Sequence, residues 1–173
     1  MRYLKGTSKV GITYRNGGSD FNLVGYSDAD FANDVETRRS TTGYIFELSN
    51  GPITWCSQRQ KSVALSTTVA EYIAACEATK EATWLRLLLN DIGCQCTSPT
   101  IINIDNQSSI KLVKNPEFHK RTKHVDTRYH FIREKYQERA INVCYVPSEL
   151  QLADILTKAL PREVTCIGPQ TSL

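Results

Sequence analysis

A mixed α/β (α+β) fold, one sheet with helices on its faces, is what this sequence predicts. Three observations carry that reading. Runs at 23–29, Thr42 to Leu48 and Ile53 to Ser57 have strand character and short polar links, as in an antiparallel meander. A long amphipathic stretch follows at 67–92. Strand and helix patterns then alternate to Leu160, giving the order βββ-α-β-α-α-β-α.

Residues 1–20 are rich in turn formers (Gly6, Gly11, Asn16-Gly17-Gly18) around a short alternating piece, Val10 to Tyr14, that reads as an edge strand or a remnant of a preceding domain. Leu-Val-Gly-Tyr-Ser-Asp-Ala-Asp then reads as a strand. Glu36 to Ser40 is polar, and Ser49-Asn50-Gly51-Pro52 is a turn. Ser66-Thr67-Thr68 starts the long helix. Its inward stripe is Glu71, Ala75, Ala78, Ala82, Leu85 and Leu89, with Glu71 as the acidic end, and Gly93 stops it. Thr100 to Asp105, apolar and β-branched, suits a central strand. Gln107 to Lys114 is a short helix closed before Pro116. Val125, Tyr129, Ile132 and Tyr136 give a further helical stripe, and Ile141 to Val146 a last strand. Pro147-Ser148 precedes a helix running to Leu160, where Pro161 stops it.

The 173 residues are enough for one domain with a real core, and 40% hydrophobic with 23% charged residues is an ordinary soluble composition. No apolar run approaches the roughly 20 residues of a membrane span. The N-terminus carries no signal-peptide pattern, so an intracellular location, cytoplasmic or nuclear, is expected. The six cysteines form no CxxC pair, and Cys94-Gln95-Cys96 is too tight for a usual zinc knuckle. Free thiols are expected, with Cys56, Cys76 and Cys144 in the core. The net charge of +3 weakly favours polyanions. The dense basic stretch His119 to His124, flanked by Lys111, Lys114 and Arg128, reads as either a solvated loop or a phosphate-holding surface. G-x-S-x-G, P-loop and H-E-x-x-H motifs are absent from the sequence.

Four acids stand out by setting: Asp28 in a strand, Glu71 opening the long helix, Asp105 ending an apolar strand, and Asp154 early in the last helix. Carboxylates gathered at element ends need a counter-charge, commonly a pair of hard divalent cations. Each acid also has a local reading. Asp28 and Asp30 share a strand face and suit a strand end. Thr68-x-x-Glu71 fits a capping box. Asp105 or Asn106 can cap the helix at Gln107. Asp154, on its helix flank, suits a solvated first turn. For Asp105, ligands of open α/β sheets gather at strand C-termini.

Several stretches together resemble one family. They are Tyr26-Ser27-Asp28-Ala29-Asp30, Thr37 to Tyr44 (TRRSTTGY), Val63 to Tyr72 (VALSTTVAEY), Glu77 to Ala82, Asp105-Asn106-Gln107-Ser108, Lys123 to Glu134 and Gln151 to Lys158 (QLADILTK). The chain resembles the ribonuclease H domain of copia-type (Pseudoviridae) retrotransposon Pol polyproteins, almost without a gap over 24–163. The resemblance implies a ribonuclease H-like fold, a five-stranded mixed sheet with helices on both faces. It implies a metal-dependent endonuclease that cuts the RNA strand of RNA–DNA hybrids during reverse transcription. The family's acidic quartet falls on Asp28, Glu71, Asp105 and Asp154, with Asp28 preferred to Asp30 because Ser27-Asp28 is similar to the Thr-Asp pair of related enzymes. Two Mg²⁺ ions, or Mn²⁺ as substitute, would be shared by Asp28, with Glu71 and Asp105 on one and Asp154 on the other. Lys120, Arg121, Lys123, His124 and Arg128 would track the hybrid's backbone. The partners implied are the hybrid and the reverse transcriptase domain of the same polyprotein.

The sequence departs from the family at Val69, where Glu is usual, and after Glu163, where a further helix is usual. No histidine precedes the last carboxylate between Val146 and Ala153, unlike related cellular enzymes. These features predict a remnant of the connection region over 1–20, a ribonuclease H-like domain over 21–163 and a divergent tail over 164–173. They leave open a second reading, a catalytically silent relic or nucleic-acid-binding module of the same fold.

Overall fold

A computed structural model of the chain describes residues 5, 11, 12, 14, 22–49, 51–115 and 126–159, with only the backbone for 126–129. Its five strands are β1 (Leu23–Asp30), β2 (Thr41–Leu48), β3 (Gly51–Arg59), β4 (Thr100–Ile104) and β5 (Ile141–Tyr145). They form one sheet in the order β3-β2-β1-β4-β5. The meander is antiparallel, whereas β4 is parallel to both β1 and β5. The carboxyl ends of β1, β4 and β5 therefore share one edge of the sheet. Val24 pairs with Ile101 and Tyr26 with Asn103, and that offset carried two residues further aligns Asp28 with Asp105.

Helix α1 (Thr67–Asp91) packs across the sheet, with α2 (Gln107–Lys114) and α3 (Asp126–Gln137) beside it. The expected stripe is the buried face of α1: Ala75, Ala78, Ala82, Leu85 and Leu89 join Phe46, Ile102, Ile104, Ile132 and Val143 in the main core. Three alanines on that face let the helix backbone approach the sheet closely. Phe46 in turn lies across Gly25, where a Cβ would collide with its ring. Ser66 caps α1, accepting from the Val69 N–H at 3.2 Å, and Asn106 caps α2, accepting from Ser109 N–H at 3.0 Å. Ile132 of α3 is buried and Tyr136 packs against the core; Val125 and the Tyr129 side chain lie outside the described residues.

Three expectations need correction. The β2–β3 reversal is tighter than predicted: Gly51 and Pro52 already pair with Leu48 and Glu47, so β3 starts two residues early and the turn rests on Ser49, at φ 52°. Pro52 is tolerated because β3 is an edge strand. The last helix is instead two short 3₁₀ turns, Ser148–Leu150 and Leu152–Leu156. Extended backbone at Gln151 separates them, and its buried side chain is held by the sheet. Finally, Cys56 and Cys144 are only half-buried because both lie on edge strands, while Cys76 is fully buried in α1. Cys56, Cys94, Cys96 and Cys144 are free thiols. Among the described residues, no helix is long and apolar enough to cross a membrane.

Candidate active site

The four singled-out acids meet at the carboxyl edge of β1 and β4. Asp28 faces Gly43 across the β1–β2 ladder. Glu71 reaches toward it from the second turn of α1, and Asp105 directly follows β4. One carboxylate oxygen from each of these three lies within 4.8 Å of the others. Asp154, in the second 3₁₀ turn, flanks the cluster without belonging to that close group. Asp28, Glu71 and Asp154 are buried, at 4%, 6% and 7% exposure, and Asp105 is half-buried. Asp30, further along the same strand face, is half-exposed and outside the cluster.

Each carboxylate is held by its own partner. Ala29 N–H donates to Glu71 Oε1 at 3.3 Å, so Glu71 grips β1. The capping box is thereby overturned: Ser66 fills the cap, and Thr68 already lies inside the helix. Ser148 Oγ donates to Asp105 Oδ2 at 2.8 Å, while Asn106 takes the α2 cap and leaves Asp105 to the site. Thr157 Oγ1 donates to Asp28 Oδ2. Lys158 Nζ lies 2.8 Å from Asp154 Oδ2, so Asp154 is a buried, ion-paired group and not a solvated one.

The scaffold behind these contacts uses residues that periodicity alone does not mark. Gln151 donates to the carbonyls of Ser27 at 3.0 Å and Asn103 at 3.4 Å, and its own Oε1 accepts from Ala153 N–H at 3.3 Å. It thus pins the chain before Asp154 to β1 and β4. Gly43 leaves room for that turn, because a Cβ there would sit 2.7 Å from Thr157 Cγ2 and 3.0 Å from the Ala153 carbonyl. The available signal was the uninterrupted QLADILTK run, which mixes polar residues into an otherwise apolar segment.

Crowded carboxylates repel one another's charge. Burial, with the charges of Asp28 and Asp105, pushes Glu71 up to about 9 against the opposing Ala29 N–H bond. Asp28 is pushed up to about 6, chiefly by burial, which outweighs the Thr157 hydrogen bond; Asp154 and Asp105 add to the rise and Lys158 opposes it. Glu71 Oε2 and Asp154 Oδ1 are buried without a hydrogen-bond partner among the described residues. Clustered, under-satisfied carboxylate oxygens are the donor set of a hard divalent cation, so the residues fit one. Lys120, Arg121, Lys123 and His124 lie outside the described residues, as does the Arg128 side chain.

No protein-family model matches the chain. It is 47% identical over 162 residues, 94% of its length, to the retrovirus-related Pol polyprotein from transposon TNT 1-94 of Nicotiana tabacum. It is 43% identical over the same span to the corresponding polyprotein from transposon RE2 of Arabidopsis thaliana. The chain belongs to the retrovirus-related Pol polyproteins. This Pol segment spans 12% and 11% of the length of those two relatives. Its fold is that of ribonuclease H. The N-terminal RNase H domain of a Mycobacterium tuberculosis protein aligns with a TM-score of 0.59 at 13% identity, covering 80% of this chain and 91% of that one. An RNase H1 solved in complex with an RNA/DNA hybrid aligns at 0.57 with 14% identity, covering 78% and 93%.

Proposed function

We propose that this Pol segment is a copia-type ribonuclease H domain, a metal-dependent endonuclease that hydrolyses the RNA strand of RNA–DNA hybrids in retrotransposon reverse transcription. The observation that carries the proposal is the Asp28–Glu71–Asp105 cluster, with one oxygen of each within 4.8 Å of the others and with Glu71 Oε2 buried and without a partner among the described residues. Sequence kinship to Pol polyproteins and the ribonuclease H fold support the same chemistry. The domain would extend over 21–163, and its partners would be the hybrid and the polyprotein's reverse transcriptase.

Asp28 would be the shared ligand of two Mg²⁺ ions, with Mn²⁺ as a substitute. Glu71 and Asp105 would complete one position, and Asp154 the other. Bound divalent cations supply Lewis-acid charge to phosphate oxygens and lower the pKa of bound water. The chain's own part is orientation. Thr157 fixes the Asp28 carboxylate, Ser148 fixes that of Asp105, and Ala29 fixes that of Glu71. The basic stretch 119–124 and Arg128 would track the hybrid's backbone, and Arg38 and Arg39, exposed on the link that leaves β1 beyond Asp28, would add positive charge there.

The test is cleavage of a labelled RNA–DNA hybrid with Mg²⁺, with double-stranded DNA in parallel. Asp105→Asn should lose roughly 100-fold or more in rate, as changes around metal ligands do. An Asp105→Asn variant as active as its parent would sink the assignment. A parent that binds hybrid without cutting it would match a silent binding module instead.

A further inference from the structure

Three of the four acids already form a close group, and the fourth is engaged elsewhere. Lys158 Nζ sits 2.8 Å from Asp154 Oδ2, four residues away in sequence. The pair is held in place from behind, because the Asp154 carbonyl accepts from Thr157 N–H and Lys158 N–H, both at 3.1 Å. The same carbonyl lies 3.2 Å from Thr157 Oγ1, the hydroxyl that holds Asp28. The other Asp154 oxygen is buried and has no partner among the described residues. A full positive charge thus stands on the flank where a second cation would share Asp154 with Asp28.

We infer that Lys158 is an internal counter-ion that occupies Asp154 until a second divalent cation displaces it, so that the Asp28–Glu71–Asp105 cluster fills first and the Asp154 flank second. The inference rests on the cation site proposed above and adds an order and a cause to it. Displacement is feasible because the Lys158 side chain is 44% exposed. A half-exposed ion pair is weak, and an ammonium on a flexible stem regains hydration when it swings out. Asp154, at 10% side-chain exposure, cannot follow it into water and stays directed at the site. Two like charges competing for one carboxylate make the second cation the weaker binder.

The experiment is a Mn²⁺ titration of the full chain without nucleic acid, read by calorimetry and by the rise in melting temperature. The parent should show one tighter and one weaker site. Lys158→Gln should tighten the weaker site by about tenfold and leave the tighter site within about twofold, since removing a half-exposed neighbouring charge is a modest effect. Lys158→Met should do the same, and Lys158→Arg, which keeps the charge, should match the parent. A weaker site that is unchanged, weakened or still absent in both neutral variants overturns the ordering, as does Lys158→Arg behaving like Lys158→Gln. A parent that binds no Mn²⁺ overturns the cation site itself, and the ordering with it.

Discussion

The hydroxyl of Thr157 donates to the carboxylate of Asp28, across 129 positions of sequence. This contact ties the second 3₁₀ turn to the strand that carries the central acid. Removing it with Thr157→Val keeps the shape and deletes the donor. The variant should lose about 1–3 kcal/mol of stability, because a buried carboxylate oxygen is left unsatisfied. Since the hydrogen bond holds Asp28 down against burial, the Asp28 pKa should rise further above its value of about 6 in the metal-free protein. Thermal denaturation and a carboxyl-carbon NMR titration read both effects; an unmoved Asp28 titration contradicts the coupling.

Gly43 lies opposite Asp28, and its missing Cβ is where Thr157 and Ala153 pack. Gly43→Ala should cost about 1–3 kcal/mol through overpacking and should also weaken Mn²⁺ binding by displacing the turn that carries Asp154. Gly93→Ala is the control. Gly93 has φ +82° with open space around it, so alanine there should cost about 1–2 kcal/mol from backbone strain and leave cation binding unchanged. Equal effects of the two substitutions on Mn²⁺ affinity would count against a special role for Gly43.

The raised carboxyls set a pH dependence for the metal-free protein. Glu71 is protonated in the folded chain up to about 9, whereas in the unfolded chain it ionises above its ordinary value of 4.5. Between those values the folded state binds more protons, so stability falls as pH rises. Asp28 adds a slope of the same sign between 3.8 and about 6. Chemical denaturation in EDTA at pH 5, 7 and 9 should show this decline. Glu71→Gln should flatten it above pH 6, and excess Mg²⁺ should offset it by binding the ionised carboxylates. Stability that climbs from pH 5 to 9 in EDTA would be the wrong sign.

What the sequence made legible follows the two simple periods. The stripe from Ala75 to Leu89 identifies the buried face of α1 and so brings Glu71 inward, whereas alternation in β1 sets Asp28 and Asp30 on one face without showing that Asp28 is buried. Asp105 was legible as the end of a β-branched strand. The late segment was not, because its conformation is decided by Gln151, whose hydrogen bonds reach carbonyls 124 and 48 positions away. A local pattern sees only the apolar residues around it and extends them into a helix. The same limit hid Lys158, whose role depends on the burial of Asp154. It also left a capping box open for Glu71, whose actual partner, Ala29 N–H, lies 42 positions away.

The most direct measurement is a strand-resolved assay on one RNA–DNA hybrid, labelled separately on each strand, with Mg²⁺ and with EDTA. The expected result is an RNA strand cut internally with Mg²⁺, a DNA strand left whole, and no cleavage in EDTA. Cleavage that persists in EDTA, or an RNA strand left uncut with Mg²⁺, contradicts a cation-dependent ribonuclease built on Asp28, Glu71, Asp105 and Asp154.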